Sequence, residues 1–506
     1  MEERQLRWYE HLSINSFWLG LNIASGTITP LLLPYLVVQF MPPEYKNTYL
    51  ATLRVVGLAV AMLVQPLAGM LSDRSTSRWG RRRPYILVSA LLNVVFLAII
   101  GLSPSFKTSG LNGFFQANFG VTAAYAVLLA GIVLMQFSSN IGQGAAQGLI
   151  PDVVPENQRG RASGVKSVME LLPVFLVLFI GPLVDKGLIW AVVGIIMGGF
   201  LVTMLPTLFL VHETPQVERP REPLAGPVLR LVGLTVIFVG VTRVAIWLVQ
   251  QASQYVTGQN AALTNQILLV GLAGLVAMAG SIFLGVYFGA WVGIGGEARG
   301  QRPFIWWVIN RLLFLAAVGS VQGFAQYFLR DVLKIPNAAT MTTILLGVVA
   351  LFLIPSAIFG GALADRVGHR RLVFYSGLVA AFGTVLLIFS SNIPLVMVSG
   401  CIIGLATGTF MATNWALGTR LVPAQDAGRY LGISNLAGAG AGIVGSGIGG
   451  PLADFFNQLQ PGLGYLVLFG IYAGLFLLSS VTLRAVRPVA EAQSAGLSAA
   501  GNSAFK

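Results

Sequence analysis

Fourteen apolar stretches run through this chain, broken only by short charged, proline-rich or glycine-rich segments. They fall near residues 14–40, 48–71, 84–103, 121–150, 162–184, 188–211, 227–251, 264–293, 303–329, 340–364, 372–391, 394–421, 430–454 and 463–485. A helix rising 1.5 Å per residue crosses the ~30 Å hydrocarbon core in about 20 residues, so each stretch predicts one spanning helix. Only 10% of the 506 residues are charged, against roughly 25% in soluble domains. So little polar surface cannot coat a soluble globule, which excludes a soluble enzyme. The fold class is an all-α polytopic membrane protein. Met1 to Glu10 is polar, and the run after it is longer than a signal-peptide core, so it reads as the first span rather than a removable leader.

An even number of crossings puts both termini on one side, and basic residues say which. On the terminal side lie 23 of the 31 Lys and Arg residues. Lys46, Arg54, Lys107, Lys186, Arg330 and Lys334 lie on the other, with Arg243 and Arg311 inside spans. Basic loops stay in the cytoplasm, so both termini are expected there, in a multi-pass protein of the cell (cytoplasmic or inner) membrane. The formal charge of +13 is thereby a topology signal, and the expected partner is the lipid bilayer, not nucleic acid. A single cysteine, Cys401, excludes an internal disulfide. Three scattered histidines argue against a metal site, and no cofactor is expected.

The chain repeats itself. Between the second and third spans stands Gly69-Met-Leu-Ser-Asp73-Arg74, followed by Ser-Thr-Ser-Arg-Trp and Gly80-Arg81-Arg82-Arg83. Between the tenth and eleventh stands Gly361-Ala-Leu-Ala-Asp365-Arg366-Val-Gly368-His-Arg370-Arg371. Each half carries a second basic turn after its fourth span, beginning at Pro151 and at Pro423. The same punctuation in the same order marks a duplicated six-helix unit. The expected organisation is a bundle over 1–215, a linker with two inserted spans over 216–300, a second bundle over 301–490 and a disordered tail over 491–506.

The two Gly-x-x-x-Asp-Arg…Gly-x-x-Arg loops resemble the signature of the major facilitator superfamily, most of whose members are secondary transporters. The longer first loop, Ser72 to Pro84, resembles that of sucrose transporters, their animal relatives and bacterial sugar–cation symporters, and Tyr327-Phe-Leu-Arg-Asp-Val-Leu333 is similar to segments of the same branch. Two features depart from that branch. The two inserted spans are better known from drug–proton antiporters and peptide transporters. In span four, Asn140-x-x-Gln143-Gly144-x-x-Gln147 carries glutamine where sucrose transporters place an arginine implicated in sugar binding, which points away from sucrose itself.

The resemblance implies a major facilitator fold of 6+2+6 helices and a cytoplasmic gate formed by Gly69, Asp73, Arg74, Gly80, Arg81, Arg82, Gly361, Asp365, Arg366, Gly368 and Arg370. A carboxylate just beyond a helix end can meet arginines or the positive end of another helix; the alternative is that the arginines only anchor topology. Inside the spans, ionisable residues default to functional hypotheses. Glu170 reads as the only carboxylate well within a span, and Arg311 lies at similar depth in span nine. A carboxylate holds or releases a proton according to whether apolar surroundings or a cation face it. Glu170 and Arg311 are therefore the expected ion-coupling pair, with a static pair, or Lys166 as the partner of Glu170, as the alternative.

Uncharged polar residues supply the expected substrate cavity. Gln136, Asn140, Gln143 and Gln147 follow i, i+4, i+7 and i+11, one stripe on one helix face. Asn22 in span one, Asn310, Gln322 and Gln326 in span nine, and Asn414 and Trp415 in span twelve complete the set, since the resemblance brings these four spans to one cavity. Amides suit a polyhydroxylated ligand and an indole stacks on its apolar face; interhelical hydrogen bonding is the competing use. Gly440-Ala-Gly442-Ile-Val-Gly445 matches a dinucleotide fingerprint, but no strand precedes it, and close helix packing explains it better. No catalytic grouping is recognisable, so the chain is not expected to be an enzyme.

The expected function is secondary active transport of a small polar solute, a sugar or glycoside, by alternating access. The expected coupling ion is a proton, with sodium as the alternative, and the expected state is a monomer. The competing readings are a 14-span drug–proton antiporter and a non-transporting membrane assembly or pigment-handling factor on the same fold.

Overall fold

A computed structural model of the chain describes residues 5–213, 223–259, 261–294, 302–419, 421 and 427–486. Among the described residues all regular structure is helical. Hydrocarbon offers no water to backbone groups, and a helix satisfies them within one segment.

Twelve helices are long and apolar enough to cross a membrane. They are Trp8–Phe40, Pro43–Ser72, Arg83–Thr108, Ala123–Val153, Ile189–Leu210, Ala225–Gly258, Leu263–Val292, Arg302–Asp331, Ala338–Val367, His369–Ile388, Ile393–Thr419 and Leu463–Ala485. Two further passages complete the expected order, and the fourteen are numbered here in chain order. Span thirteen is the Gly- and Ala-rich helix Ala427–Leu459. Span five is not the single helix expected over 162–184. It is broken into Arg159–Leu171, Pro173–Val177 and Gly181–Asp185. Pro173 brings no N–H to the ladder, and the Ile180 N–H bonds Val177 O at 2.9 Å, three residues back rather than four. Span one starts earlier than expected, because Glu10 accepts the Arg7 N–H at 2.7 Å and caps a helix beginning at Trp8. Inside it, Ile28–Leu32 winds as a π-turn around Pro30. The Pro423 turn and the 491–506 tail lie outside the described residues, as do 214–222 and 295–301 of the inserted segment.

By compactness the chain forms two units, residues 1–232 with 323–347, and residues 233–322 with 348–506. In the first, spans two and four meet at glycine: a Cβ on Gly144 would strike the Gln65 carbonyl oxygen and lie 3.0 Å from the Gly69 nitrogen. Span four also leans on span three through hydroxyls, with Ser89 Oγ donating to Ser138 O at 2.7 Å and Ser138 Oγ donating to Asn93 Oδ1 at 2.9 Å.

The second unit repeats the glycine contact between spans ten and twelve. A Cβ on Gly404 would lie 2.5 Å from Val349 O, and one on Gly408 would strike Leu353 O. Its core stacks Phe314 of span nine on Phe410 of span twelve, 3.6 Å apart and nearly parallel, with Phe476 edge-on at 4.9 Å. The inserted spans pack here too. Phe238 of span seven fills the space that Gly285 of span eight and Gly440 of span thirteen leave open, and Leu452 of span thirteen approaches Gly274 of span eight. A Cβ on Gly445 would strike Ser320 Oγ of span nine. The Gly440–Gly445 run is a packing surface.

Gly408→Val puts a branched side chain against the Leu353 carbonyl, a backbone atom that cannot swing aside. Overpacking of this kind costs about 1–3 kcal/mol. Thermal unfolding of the purified protein is expected to fall by several degrees; an unchanged midpoint would mean the helices part freely there.

Candidate functional site

The first basic loop folds around one side chain. Arg82, 6% exposed, ion-pairs with Asp73 at the end of span two and donates from Nε to Asp152 Oδ2 at 2.8 Å. Its Nη1 donates to Ser72 Oγ at 2.5 Å and to Gly69 O at 3.3 Å. The planar guanidinium makes this fan possible, because its donors are fixed in a fork. Gly148 is small for the same reason, since a Cβ there would strike the Arg82 guanidinium. Arg81 also pairs with Asp152, and that hydrogen bond holds its guanidinium above its ordinary pKa. Two loop arginines and the ends of spans two and four are thus joined.

Glu213, just past span six, closes the other side of the loop. Its carboxylate accepts the backbone N–H of Arg82 at 2.8 Å and of Arg83 at 3.0 Å, at the N-terminus of span three, where the helix presents unbonded donors and positive potential. Burial pushes the Glu213 carboxyl above its ordinary pKa, against the pull of these N–H bonds and of Arg83. Gly80 adopts φ +96°, and a Cβ there would sit 2.5 Å from Glu213 Cβ, so glycine is required twice over. Asp152 and Glu213 were not singled out from sequence. Asp152 stands in the basic turn that begins at Pro151, but nothing there marks it as a partner of Arg81 and Arg82.

The second loop repeats the backbone but not the network. Gly368 again takes a positive φ, +97°. Asp365 and Arg366 are exposed, and the Asp365 carboxylate faces His369 at 3.7 Å. Arg370 turns to the end of span fourteen, donating to Leu483 O at 3.0 Å and Arg484 O at 3.3 Å. Gly361 has open space where a Cβ would stand, and Arg74 is half-buried in its own loop.

Within the first unit the span-four stripe runs from half-buried Gln136 and buried Asn140 to half-buried Gln143 and exposed Gln147. Asn140 donates to its own Gln136 O at 2.7 Å, and Asn22 to its own Trp18 O at 2.9 Å. In each the amide oxygen is left for another donor. Gln147 accepts from Gln65 at 3.2 Å. Glu170 takes the alternative partner read from sequence: Lys166 lies 3.3 Å from it and 4.1 Å over the Trp18 ring.

The same unit contains a cluster that sequence reading did not assemble, at the end of the spans remote from the termini. The π-turn of span one loosens its carbonyls, and side chains of other spans take them up. Arg54 of span two donates to Thr29 O at 3.3 Å. Gln326 of span nine, with its amide nitrogen turned to the carbonyls, donates to Pro30 O at 2.8 Å and Leu31 O at 3.1 Å. Tyr327 Oη donates to Pro34 O at 3.0 Å. Lys46 pairs with Asp331 at 2.6 Å, and Asp185 at the end of span five caps span ten, accepting the N–H groups of Ala339 at 3.0 Å and Thr340 at 2.8 Å. Gln326, expected in the cavity, is committed to this cluster.

In the second unit Asn310 and Asn414 bond each other. Asn414 Nδ2 donates to Asn310 Oδ1 at 2.7 Å, and Asn310 Nδ2 donates to Ser479 O at 2.7 Å. Both asparagines are fully buried, the interhelical use weighed from sequence. Arg311 lies between indoles, 5.0 Å from the Trp415 centroid and 6.0 Å from that of Trp307, with Nη1 3.5 Å from Asn414 Oδ1. Gln322 is half-buried, and Arg243 is exposed on span seven. Glu170 is not the only carboxylate within a span: Asp454 is buried in span thirteen, which continues to Leu459 rather than ending at 454.

Arg82→Lys keeps one positive charge but cannot reach Asp73, Asp152, Ser72 and Gly69 together. Losing charge-assisted hydrogen bonds costs about 1.5–3 kcal/mol each, so a lower unfolding midpoint is expected, and wild-type stability in this variant would show that the fan carries no weight. For Lys46 and Asp331, a double-mutant cycle of Lys46→Ala and Asp331→Ala on thermal stability is expected to give a coupling of about 0.5–3 kcal/mol. Strict additivity would reduce the pair to a chance approach.

Comparison with known proteins places this geometry. The sucrose transport protein SUT1 of Oryza sativa subsp. japonica is 32% identical over 115 residues, 22% of this chain and 21% of that protein. Proton-associated sugar transporter A of Mus musculus is 28% identical over 167 residues, 33% of this chain and 21% of that protein. The matched segments thus span about a fifth of each relative's length. The crystal structure of a D-xylose–proton symporter superposes with a TM-score of 0.58 at 15% identity, covering 94% of this chain and 95% of that one, and shows a shared fold. The family profile described as Major Facilitator Superfamily matches residues 16–324 and 307–506. With helices in the order that profile covers and paired Asp-Arg loops at matching positions, the chain belongs to the major facilitator superfamily.

Proposed function

We propose that the chain is a secondary active transporter of a polyhydroxylated solute, a sugar or glycoside, driven by protons across the membrane in which both termini are cytoplasmic. The observation that carries the reading is a pair of amide oxygens, on Asn22 of span one and Asn140 of the span-four stripe, left open among the described residues after each side chain has satisfied its own helix. Open acceptors on a half-buried helix face suit hydroxyl donors. The relatives named for sugar transport support the substrate class.

Alternating access requires contacts at each end that form and break. The cluster at Lys46–Asp331, Tyr327–Pro34 and Asp185–Thr340 ties residues far apart in sequence, and every member is a hydrogen bond or ion pair that water can replace. Opening that end exchanges protein partners for solvent at small net cost, as a transition between two states a few kcal/mol apart needs. Glu170 is the proposed proton site. In this structure Lys166 faces it; a helix shift that parts them leaves the carboxylate to take a proton. The discontinuity of span five at Pro173, two residues beyond the end of the helix that carries Glu170, gives that helix a place to pivot.

The fourteen-span count favours a drug–proton antiporter as the second reading. Proteoliposomes with an imposed pH gradient, offered labelled sugars and hydrophobic cations separately, divide the two. Accumulation of a sugar is expected. Glu170→Gln should abolish accumulation yet retain exchange, because exchange needs no net proton movement. Uptake of cations alone would establish the antiporter, and pH-driven accumulation by Glu170→Gln would remove Glu170 from the coupling.

A further inference from the structure

Among the described residues of its unit, Arg311 has no counter-charge. It is only 8% exposed, in the inner third of span nine, about 14 Å from Arg302 at the start of that helix. A guanidinium carries five N–H donors in one plane and cannot shed its charge. Here the indole of Trp415 lies 5.0 Å away and that of Trp307 6.0 Å away. Aromatic faces attract the cation but accept none of its in-plane N–H groups. The in-plane contact found is one long approach, Nη1 to Asn414 Oδ1 at 3.5 Å, and Nε is buried with no acceptor.

The described residues of the neighbouring helices do not supply the anion. Spans twelve and fourteen contain no Asp or Glu, and the acid of span nine, Asp331, is paired with Lys46 at the far end. Asp454, the buried acid of this unit, sits five residues from the remote end of span thirteen, while Arg311 lies near the terminal end of its span. Within this unit no described carboxylate pairs with Arg311.

The site around it is nevertheless held rigidly. Asn414 donates to Asn310 at 2.7 Å, Asn310 is fixed to Ser479, and Trp307 Nε1 donates to Asn414 O at 2.9 Å. These bonds lock the Asn414 amide so that its oxygen faces the guanidinium and its nitrogen does not. Gly418 leaves room for Trp307, since a Cβ there would strike the indole ring. A fixed amide and two indoles around an unsatisfied cation are a binding device more than a packing accident, because an unpaired buried charge is among the most costly features a membrane helix can carry.

We propose that Arg311 is the anchor for a carboxylate carried by the transported solute, so that the preferred substrate is an acidic sugar such as a uronate or a uronide rather than a neutral one. A planar carboxylate accepts two parallel N–H bonds from a guanidinium edge, including the open Nε, and neutralises the charge where it is least solvated. The half-buried Trp415 then offers its remaining edge to the sugar ring beside that carboxylate. The proposal rests on the sugar-transport reading and names the substrate class within it.

The test uses two ligands that differ only at C6, phenyl β-glucuronide and phenyl β-glucoside, with the purified full-length protein in detergent. Tryptophan fluorescence reports binding, since two indoles flank Arg311. The wild type is expected to bind the glucuronide at least about tenfold more tightly than the glucoside. Arg311→Gln is expected to bring that ratio near one, and Arg311→Lys to keep part of the preference through charge alone. The wild-type ratio needs no variant, so a misfolded Arg311→Gln leaves the proposal decidable. Glucoside binding with no preference for the glucuronide overturns the role of Arg311 and leaves the sugar reading standing. A preference unchanged in Arg311→Gln, with only the pH profile of transport displaced, overturns it in favour of Arg311 acting on proton coupling. If neither ligand binds, the sugar reading falls and this proposal with it.

Discussion

In hydrocarbon there is no water to take up a loose carbonyl, so each break in a helix has to be repaired by a side chain from elsewhere. The π-turn at Ile28–Leu32 is where this chain depends on that rule most. Arg54, Gln326 and Tyr327 reach the carbonyls of Thr29, Pro30, Leu31 and Pro34 from spans two and nine. A continuous first helix would have kept the carbonyls of Thr29, Pro30 and Leu31 in its own ladder. The irregularity in span one therefore supplies the acceptors that Arg54 and Gln326 take up in the remote-end cluster. Pro30 and Pro34 fix where it falls, because neither can donate to the ladder.

The terminal end uses a different device. There the loose groups are donors, the first N–H groups of span three, and the repair is a carboxylate, Glu213. The same loop then needs its arginines pinned, and Asp152 and Asp73 do so. Each of these groups belongs to the first six spans, so this network can persist while spans move as a body. The remote-end cluster has the opposite character, since Lys46 and Asp331 are 285 residues apart in the chain. On the transport reading, the first network is framework and the second is the part that must come undone.

The fourteen passages were legible because hydropathy depends on each residue alone. The positions of the paired loops were legible because the repeat prints them twice. What stayed hidden was whatever depends on two distant residues meeting. Nothing in the local sequence of Asp152 or Glu213 says that Arg81, Arg82 or Arg83 will arrive beside it, and Asp185 looks like an ordinary loop acid until span ten begins against it. Polar residues in apolar helices were legible as a class but not in their use. Among the described residues Asn140 and Asn22 keep an open oxygen, whereas Asn310 Oδ1 accepts from Asn414 Nδ2 and Asn414 Oδ1 faces Arg311. The spacing of the four gives no hint of that difference, because it is set by which helix lies opposite. Asp454 was missed for a simpler reason: the apolar run fades at 454, while the helix continues to Leu459 on Phe, Asn and Gln.

The duplicated loops have the same backbone and different electrostatics. Gly80 and Gly368 both turn with positive φ, two residues before Arg82 and Arg370. Arg82 is drawn inward by Asp73 and Asp152, and burial within that pair of carboxylates balances its charge. Arg370 has turned to the carbonyls of Leu483 and Arg484, at the negative end of span fourteen, and the exposed Asp365 faces a histidine 3.7 Å away. Duplication supplied two copies of a turn, and in the first a carboxylate at the end of the neighbouring fourth helix sets which way the arginine points. In the first half that carboxylate is Asp152, and with it Arg82 can serve as a fixed strut; in the second half Arg370 serves instead as a cap on its own bundle. Sequence symmetry in such a fold therefore predicts where the chain turns, and the described contacts of Arg82 and Arg370 show that the same turn can hold its arginine in two different ways.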